Sequence, residues 1–403
     1  MTVLYLLDST TVSGAEIVTL GYIDALRAQG HTAVAYISEH NHRLADVLRT
    51  RKVPVLATRH FSRELIRTTA RPGALREFTR SFTSVRRELR DFIRRHDVQI
   101  VHSISYPASL YAALSISGTG VSHVWHEHNI KRIHRFNRPI YRFVGRSCTH
   151  VIGPSDAVTK NLARAVPDGV VRTVYNGIDL QRFAPASGER IEEIRRSLGI
   201  REGSRAVGLF GQMLPYKGHM TLVDAAPRIL ATCPDVEFLL VGALENPPYQ
   251  DQLKARIAER GLAECVRFTG WQPNVHETMR AMDAIVVGTT TPEPASLALM
   301  EAMAVGTPLV ATRTGGTPEI VSDEKTGLLY EPGQADQLAD RVIRVLTDST
   351  LSSALAAAGR ARVEARFSLP RHIAAILGLY RGLDPLVALG QQGGSPRPEA
   401  ARR

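Results

Sequence analysis

Two acidic side chains, Glu293 and Glu301, stand eight positions apart in TPEPASLALMEAMAVGTP, Thr291 to Pro308. Carboxylates can share one acid/base centre when about 5 to 9.5 Å separates them, as in glycoside hydrolysis. Pro294 bears on whether that is possible here. A residue before proline is pushed out of the α region, so Glu293 reads as extended or as a helix N-cap. Leu297, Leu299, Met300 and Met303 then form an apolar helical surface, which Gly306 and Pro308 end. A helix starting near Pro294 would place Glu301 about 10 Å beyond its start, at about 1.5 Å per residue. That spacing suits two carboxylates gripping different hydroxyls of one elongated ligand. The competing reading is a helix cap and a solvated helix residue.

A lysine supplies the opposite charge. In LFGQMLPYKGHMTLVDA a strand ends in Gly211 and a helix starts near His219, with Lys217 and Gly218 just before it. Lysine at the positive end of a helix dipole is unfavourable unless an anion sits there. Taken alone, it reads first as a solvated loop lysine. A similar junction, DSTTVSGAEIV, sets Ser13 and Gly14 between the first strand and its helix. Free N–H groups there attract phosphate, although Ser13 can simply cap the helix.

Short β-branched runs alternate with helical patterns along most of the chain, the signature of parallel sheets covered by helices. The first series of strands is expected at 3–7, 32–37, 53–57, 99–102, 121–125 and 149–152. The second is expected at 206–210, 236–241, 266–268, 284–287, 309–311 and 328–330. Between the two series, VYNGIDLQRFAPASG is rich in Gly, Pro and Asn and marks a domain junction near Thr173 to Ser187. The fold class is therefore α/β, with two Rossmann-like domains in tandem. The expected division is 1–173, 174–369, a last helix within 370–383, and a tail at 384–403 whose composition predicts disorder.

Composition narrows the partners. The 403 residues carry 50 Lys+Arg against 39 Asp+Glu, a net charge of +11 that favours acidic ligands such as nucleotide phosphates or lipid headgroups. Cys148, Cys233 and Cys265 stand too far apart for a disulfide framework or a zinc site. No apolar run is long enough to span a bilayer, and the N-terminal run is too short for a signal peptide. A cytoplasmic protein that touches the inner face of a membrane is the expectation.

The E-x7-E pair, running on into EAMAVGTPLVATRTGGTPEIV and preceded by Lys217-Gly218, resembles the donor site of the retaining GT-B glycosyltransferases of family 4. The same family's pattern is similar to SGAE near the start, HEHN at 126–129, SDAV from Ser155, VYNGID from Val174, FTGW from Phe268, and Phe367-Ser368 with Tyr380 at the end. In that order they cover nearly the whole chain.

The resemblance implies a GT-B architecture, two domains facing across a cleft with the last helix crossing back to the first. It implies transfer from a UDP-, GDP- or ADP-sugar to a glycan or lipid-linked acceptor. Glu301 would hold the donor's ribose, Glu293 the transferred sugar, and Lys217 the diphosphate. Backbone around Ala295, Ser296 and Leu297 would meet the phosphate's other side, and Gly14 would let the first domain's backbone approach it. Phe268, Gly270 and Trp271 would line the base pocket. His128 or His126 would be the cleft histidine. Two departures stand out. Gln212 occupies a place where the family has a basic residue, and Pro294-Ala295-Ser296 replaces Gly-Phe-Gly. No cofactor is implied. No D-x-D pattern is present, which agrees with a donor site that uses protein cations and helix dipoles instead of a divalent ion.

Eleven arginines crowd Arg59 to Arg95 against four acids. Leu75, Phe78, Phe82, Val85, Leu89 and Phe92 recur at helical spacing. Arg76, Arg80, Arg87, Arg90 and Arg94 share another face, either solvated or set against anionic membrane. Competing functions are a sugar-nucleotide epimerase or phosphorylase on the same fold, and a non-catalytic basic membrane scaffold. No nucleic-acid motif is present, so a nucleic-acid partner is not expected.

Overall fold

The structure is a computed structural model that describes residues 1–12, 14–61, 74–244 and 246–383, excepting the side chains of 74–78. Ser13, the arginines at 63, 67 and 71, and the tail at 384–403 lie outside the described residues. The chain divides into two compact units. One comprises Met1–Pro154, Val158–Val174 and the segment from His372; the other comprises Ser155–Ala157 and Tyr175–Arg371.

The first unit is built on seven strands: β1 Thr2–Leu7, β2 Thr32–Ser38, β3 Val55–Thr58, β4 Ile100–Ser103, β5 Ser122–His126, β6 His150–Gly153 and β7 Val171–Thr173. Their order is β3-β2-β1-β4-β5-β6-β7, and every pair is parallel. The second unit has six: β8 Arg205–Phe210, β9 Val236–Val241, β10 Val266–Gly270, β11 Ala284–Val287, β12 Leu309–Thr312 and β13 Leu328–Tyr330. Their order is β10-β9-β8-β11-β12-β13, again parallel throughout.

The strands read as continuous apolar runs because helices cover both faces of each sheet. In the second unit Val207 and Leu209 pack with Phe238 and Leu240 in one core, while Ala206 and Phe210 pack with Leu239 and Val241 in the other. Strand geometry sends successive side chains to opposite faces, so each strand feeds two cores.

Order reverses between β1 and β4 in the first sheet and between β8 and β11 in the second. At such a reversal the loops leaving the two strands diverge to opposite faces, opening a crevice beyond the carboxyl ends. Lys217 lies on the loop after β8, and Glu293 on the loop after β11. Sheet topology thus brings together residues 76 positions apart.

Two details differ from the sequence reading. The three-residue β7, with Arg172 exposed, was not expected; it pairs only with β6 at the sheet's edge, and so short a run leaves little pattern. The helix carrying Glu301 spans Leu297–Val305 with Ser296 at its N-cap, so Glu293 is neither cap nor helical. Glu301 lies about 6 Å along the axis from the helix start, one turn and not two. Residues 288–296 are irregular, so helical rise does not set the distance between the two carboxylates.

The last helix, Leu369–Arg381, groups with the first unit from His372 onward. His372 Nε2 meets the Tyr22 hydroxyl at 2.7 Å, and the Tyr380 hydroxyl donates to Tyr5 Oη at 3.3 Å.

Candidate active site

In the second unit the loop after β8 makes a single 3-10 turn, Pro215–Lys217, which ends at Gly218 in the left-handed region. A side chain at Gly218 would meet the carbonyl oxygen of Gly288 at 2.1 Å, so only glycine allows this approach. Thr290 N–H donates to the Tyr216 carbonyl at 2.8 Å, tying the loop after β11 to the turn. Behind Glu293, Gly316 N–H donates to the Glu293 carbonyl at 2.7 Å, and a Cβ on Gly315 would lie 2.1 Å from that oxygen. The glycine pair of TRTGGTPEI is thus the back wall of the Glu293 loop.

Held this way, Lys217 Nζ lies 2.9 Å from Glu293 Oε2, and the Thr289 hydroxyl donates to the same oxygen at 2.9 Å. Side-chain exposure is only 20% for Lys217 and 15% for Glu293, so the pair is shielded but reachable. An ammonium has three donors and this pair uses one, leaving donors for an anion. Gln212, on the same loop, is exposed.

Ala295, Ser296 and Leu297 are half-buried at the start of the Leu297–Val305 helix, and no side chain caps it. The first N–H groups of a helix have no intrahelical partner and favour negative charge. Glu301 is half-buried by surface area, yet its carboxyl is enclosed enough that desolvation pushes its pKa up to about 7, against a smaller opposite pull from the Arg182 guanidinium. At the end of β10, Gly270 adopts a positive φ of 68° and Trp271 is 58% exposed.

Arg182, Asn176 and Glu319 escaped the sequence reading. Asn176 is buried, with Nδ2 3.5 Å from the Ala295 carbonyl. Glu319 accepts hydrogen bonds from the N–H groups of Asp156 at 2.6 Å and Ala157 at 2.8 Å, and from the Tyr175 hydroxyl at 3.0 Å. Three stretches noted for their sequence, SDAV, VYNGID and TPEIV, therefore meet at one carboxylate. Each stretch is legible alone, but nothing in the sequence joins them to one acid.

In the first unit the loop after β1 is fastened by buried side chains. Asn41, the N-cap of the His42–Thr50 helix, donates to the carbonyls of Ser9 and Thr11 at 3.1 Å, and Ser105 donates to Asp8 at 2.8 Å. Gly14 begins the Gly14–Ala28 helix that follows, and Glu16 lies in its first turn. At the end of β5, His126 is fully buried among the rings of Tyr22 at 6.1 Å, His102 at 5.5 Å and His128 at 4.0 Å. Desolvation, with smaller like-charge contributions from neighbouring histidines, holds His126 well below the ordinary range and His102 down to about 3. The Tyr380 hydroxyl is hydrogen-bonded to His102 Nδ1. His128, two residues past the strand in the loop, is half-buried. Glu127 stabilises that loop by accepting from Asn129 N–H at 3.0 Å, and burial raises its pKa. The structure thus separates the two histidines: His126 is a core residue and His128 has an exposed portion.

The basic helix spans Ala74–Arg95. Phe82, Val85, Leu89 and Phe92 pack into the first unit's core. Arg80, Arg87 and Arg94 are exposed, whereas Arg90 donates to the carbonyls of Ser115 at 2.7 Å and Ser117 at 2.8 Å. Arg94 pairs with Asp91, and the side chain of Arg76 lies outside the described residues. Among the described residues no three or more His, Cys, Asp or Glu side chains cluster in a way that could hold a metal ion.

Residues 190–362 match the family described as glycosyl transferases group 1, and residues 12–182 match glycosyltransferase family 4. The chain belongs to the family-4 glycosyltransferases. Both family models describe glycosyltransferases, which the scaffold and epimerase alternatives do not match. Its curated relatives include the lipopolysaccharide core biosynthesis mannosyltransferase LpsB of Rhizobium meliloti, 31% identical over 54% of this chain and 62% of the relative. Another is the GDP-mannose-dependent monoacylated alpha-(1-6)-phosphatidylinositol monomannoside mannosyltransferase of Corynebacterium glutamicum, 31% identical over 48% and 51%. The matches thus span between half and two thirds of those relatives' own lengths. Among solved structures, Anabaena Alr3699/HepE in complex with UDP superposes with a TM-score of 0.80 at 24% identity, covering 94% of this chain and 99% of that one. Sucrose-phosphate synthase from Thermosynechococcus elongatus gives 0.78 at 21%, covering 95% and 99%. The family-4 transferase has the α/β GT-B type of fold, with two parallel-sheet Rossmann-like units. No helix among its described residues is long and apolar enough to cross a membrane.

Proposed function

We propose that this family-4 transferase moves a hexosyl group from a nucleoside-diphosphate sugar to a hydroxyl of a glycan or glycolipid, with retention at the anomeric carbon. The observation that supports this most is the Lys217–Glu293 pair at the crevice where the second sheet reverses its order. Lys217 neutralises the departing diphosphate, and the uncapped N–H groups at the start of the Leu297–Val305 helix share its charge. Such preorganised donors stabilise developing charge at no reorganisation cost. Glu293, already oriented by Thr289 and Lys217, accepts from hydroxyls of the transferred sugar. Glu301 accepts from the ribose, and Gly270 and Trp271 border the base.

On the first unit, His128 is the histidine offered to substrate. In the retaining reaction the acceptor oxygen bonds to the anomeric carbon on the face from which the diphosphate oxygen departs. The acceptor's proton passes to that phosphate oxygen. The names of the two curated relatives make GDP-mannose the first donor to try.

A panel of GDP-mannose, UDP-glucose and ADP-glucose, each with and without glycolipid and polysaccharide acceptors, tests the reading. Acceptor-dependent release of nucleoside diphosphate, with the product α-linked as in an α-donor, is expected. Release of diphosphate without any acceptor dependence, or a β-linked product, contradicts it.

A further inference from the structure

We infer that residues 131–146 of the first unit form a docking surface for an anionic bilayer, distinct from the arginine-rich Ala74–Arg95 helix. Between Glu127 and Asp156 the sequence has no acidic residue, yet it carries Lys131, Arg132, Arg135, Arg138, Arg142 and Arg146. In the same stretch stand three exposed large apolar side chains: Phe136 at 72%, Ile140 at 44% and Phe143 at 45%.

The helix Arg138–Arg146 explains how these share a surface. Tyr141 and Val144 are buried and anchor it to the core around Trp125 and Val151. At about 100° per residue, Pro139, Ile140 and Phe143 fall on one strip of its outer side. Arg138, Arg142 and Arg146, spaced by four, fall on the adjoining strip. Ahead of the helix, Asn137 closes a turn by accepting from His134 N–H at 2.8 Å and donating to the Arg132 carbonyl at 3.0 Å. That turn presents Phe136, with the Arg135 guanidinium 4.6 Å above its ring. None of Arg132, Arg135, Arg138, Arg142 and Arg146 makes an ion pair among the described residues.

An apolar strip beside a basic strip on one helix is the arrangement that lies in a bilayer interface, with rings and aliphatic groups at the acyl boundary and guanidinium groups on anionic headgroups. The apolar strip mixes the aliphatic Pro139 and Ile140 with the ring of Phe143 on one helix side, which suits an acyl boundary better than a run of base-stacking rings. The Ala74–Arg95 helix lacks this pairing. Its described apolar face is turned into the core, Arg90 is occupied by carbonyls, and Arg94 by Asp91. The surface serves whichever sugar the transferase moves.

Co-sedimentation of the full chain with phosphatidylcholine vesicles, with and without about 30% phosphatidylglycerol, tests the assignment. The wild type is expected to partition at least about tenfold more strongly onto the anionic vesicles. The variants F136S/I140S/F143S and R138Q/R142Q/R146Q should each lose about tenfold or more while keeping the unfolding midpoint. R138K/R142K/R146K should retain binding, and R80Q/R87Q/R94Q should stay within about twofold of wild type. Equal partitioning onto neutral and anionic vesicles, unchanged binding in the first two variants, or a loss confined to R80Q/R87Q/R94Q overturns the proposal. RNA binding without vesicle binding does so as well.

Discussion

The two units solve the same geometrical problem, a loop leaving a parallel strand at the order reversal, with different materials. In the second, backbone sets the loops: Gly218 against Gly288, Gly316 N–H on the Glu293 carbonyl, and Thr290 N–H on Tyr216. The side chains are then left to face each other as a shielded but reachable charge pair. In the first, buried side chains do the fastening, through Asn41, Ser105 and a ring cluster of Tyr5, Tyr22, His102, His126 and Tyr380. Desolvation holds His102 and His126 neutral near pH 7. A backbone scaffold frees charged groups for a ligand, whereas the side-chain scaffold of the first unit buries its polar groups in the core.

The sharpest way to break this contrast is Lys217→Ala. Because Gly218 and the Thr290–Tyr216 bond hold the loop without the lysine, the fold should survive while kcat/KM falls by about 10²–10³. Measured turnover with a confirmed donor, beside a thermal unfolding curve, checks both halves. An unfolded variant would show the lysine to be part of the scaffold.

A second, smaller effect separates the histidines. His126→Ala empties a site among the rings of Tyr22, His102 and His128 and should cost about 2–4 kcal/mol of stability. His128→Ala should leave unfolding nearly unchanged and lower turnover. Denaturant unfolding of both variants decides it, and the reverse pattern would move the substrate-facing role to His126.

What was legible in the sequence follows the same division. Strand positions and the glycine-bounded Lys217 loop could be read because glycines and apolar runs are local signals. The ring cluster could not, since it joins Tyr5 to Tyr380 across 375 positions and no local pattern encodes that contact. The helix start was misplaced because Pro294 is a good first helical residue, whereas the chain remains irregular to Ser296 with Glu293 held back by Gly316. Glu319 looked like any helix acid until its three partners were seen. The basic Ala74–Arg95 helix drew attention by arginine count, but its exposed apolar counterpart lies in 131–146.

The smallest expected effect concerns pH. Glu301 has its pKa near 7, above the ordinary 4.5, because burial disfavours the anion. The ionised carboxylate is the form that accepts from hydroxyls, so donor affinity should tighten by a few-fold as pH rises through about 7 and level off above it. The folded form binds this proton more tightly than the unfolded chain, so the same group makes stability decline as pH rises from about 4.5 to 7. Glu301→Gln should flatten the affinity profile; a profile identical to wild type would remove Glu301 from the donor's contacts.

If the Lys217–Glu293 crevice of the second unit holds a nucleoside diphosphate as proposed, Lys217 contributes directly to nucleotide affinity. Calorimetric titration of GDP, UDP and ADP into the wild-type chain and Lys217→Ala tests it most directly. At least one nucleotide should bind the wild type at micromolar concentration and the variant about tenfold or more weakly. Equal affinity in both proteins, or binding of none of the three to the wild type, would exclude this crevice as the nucleotide site.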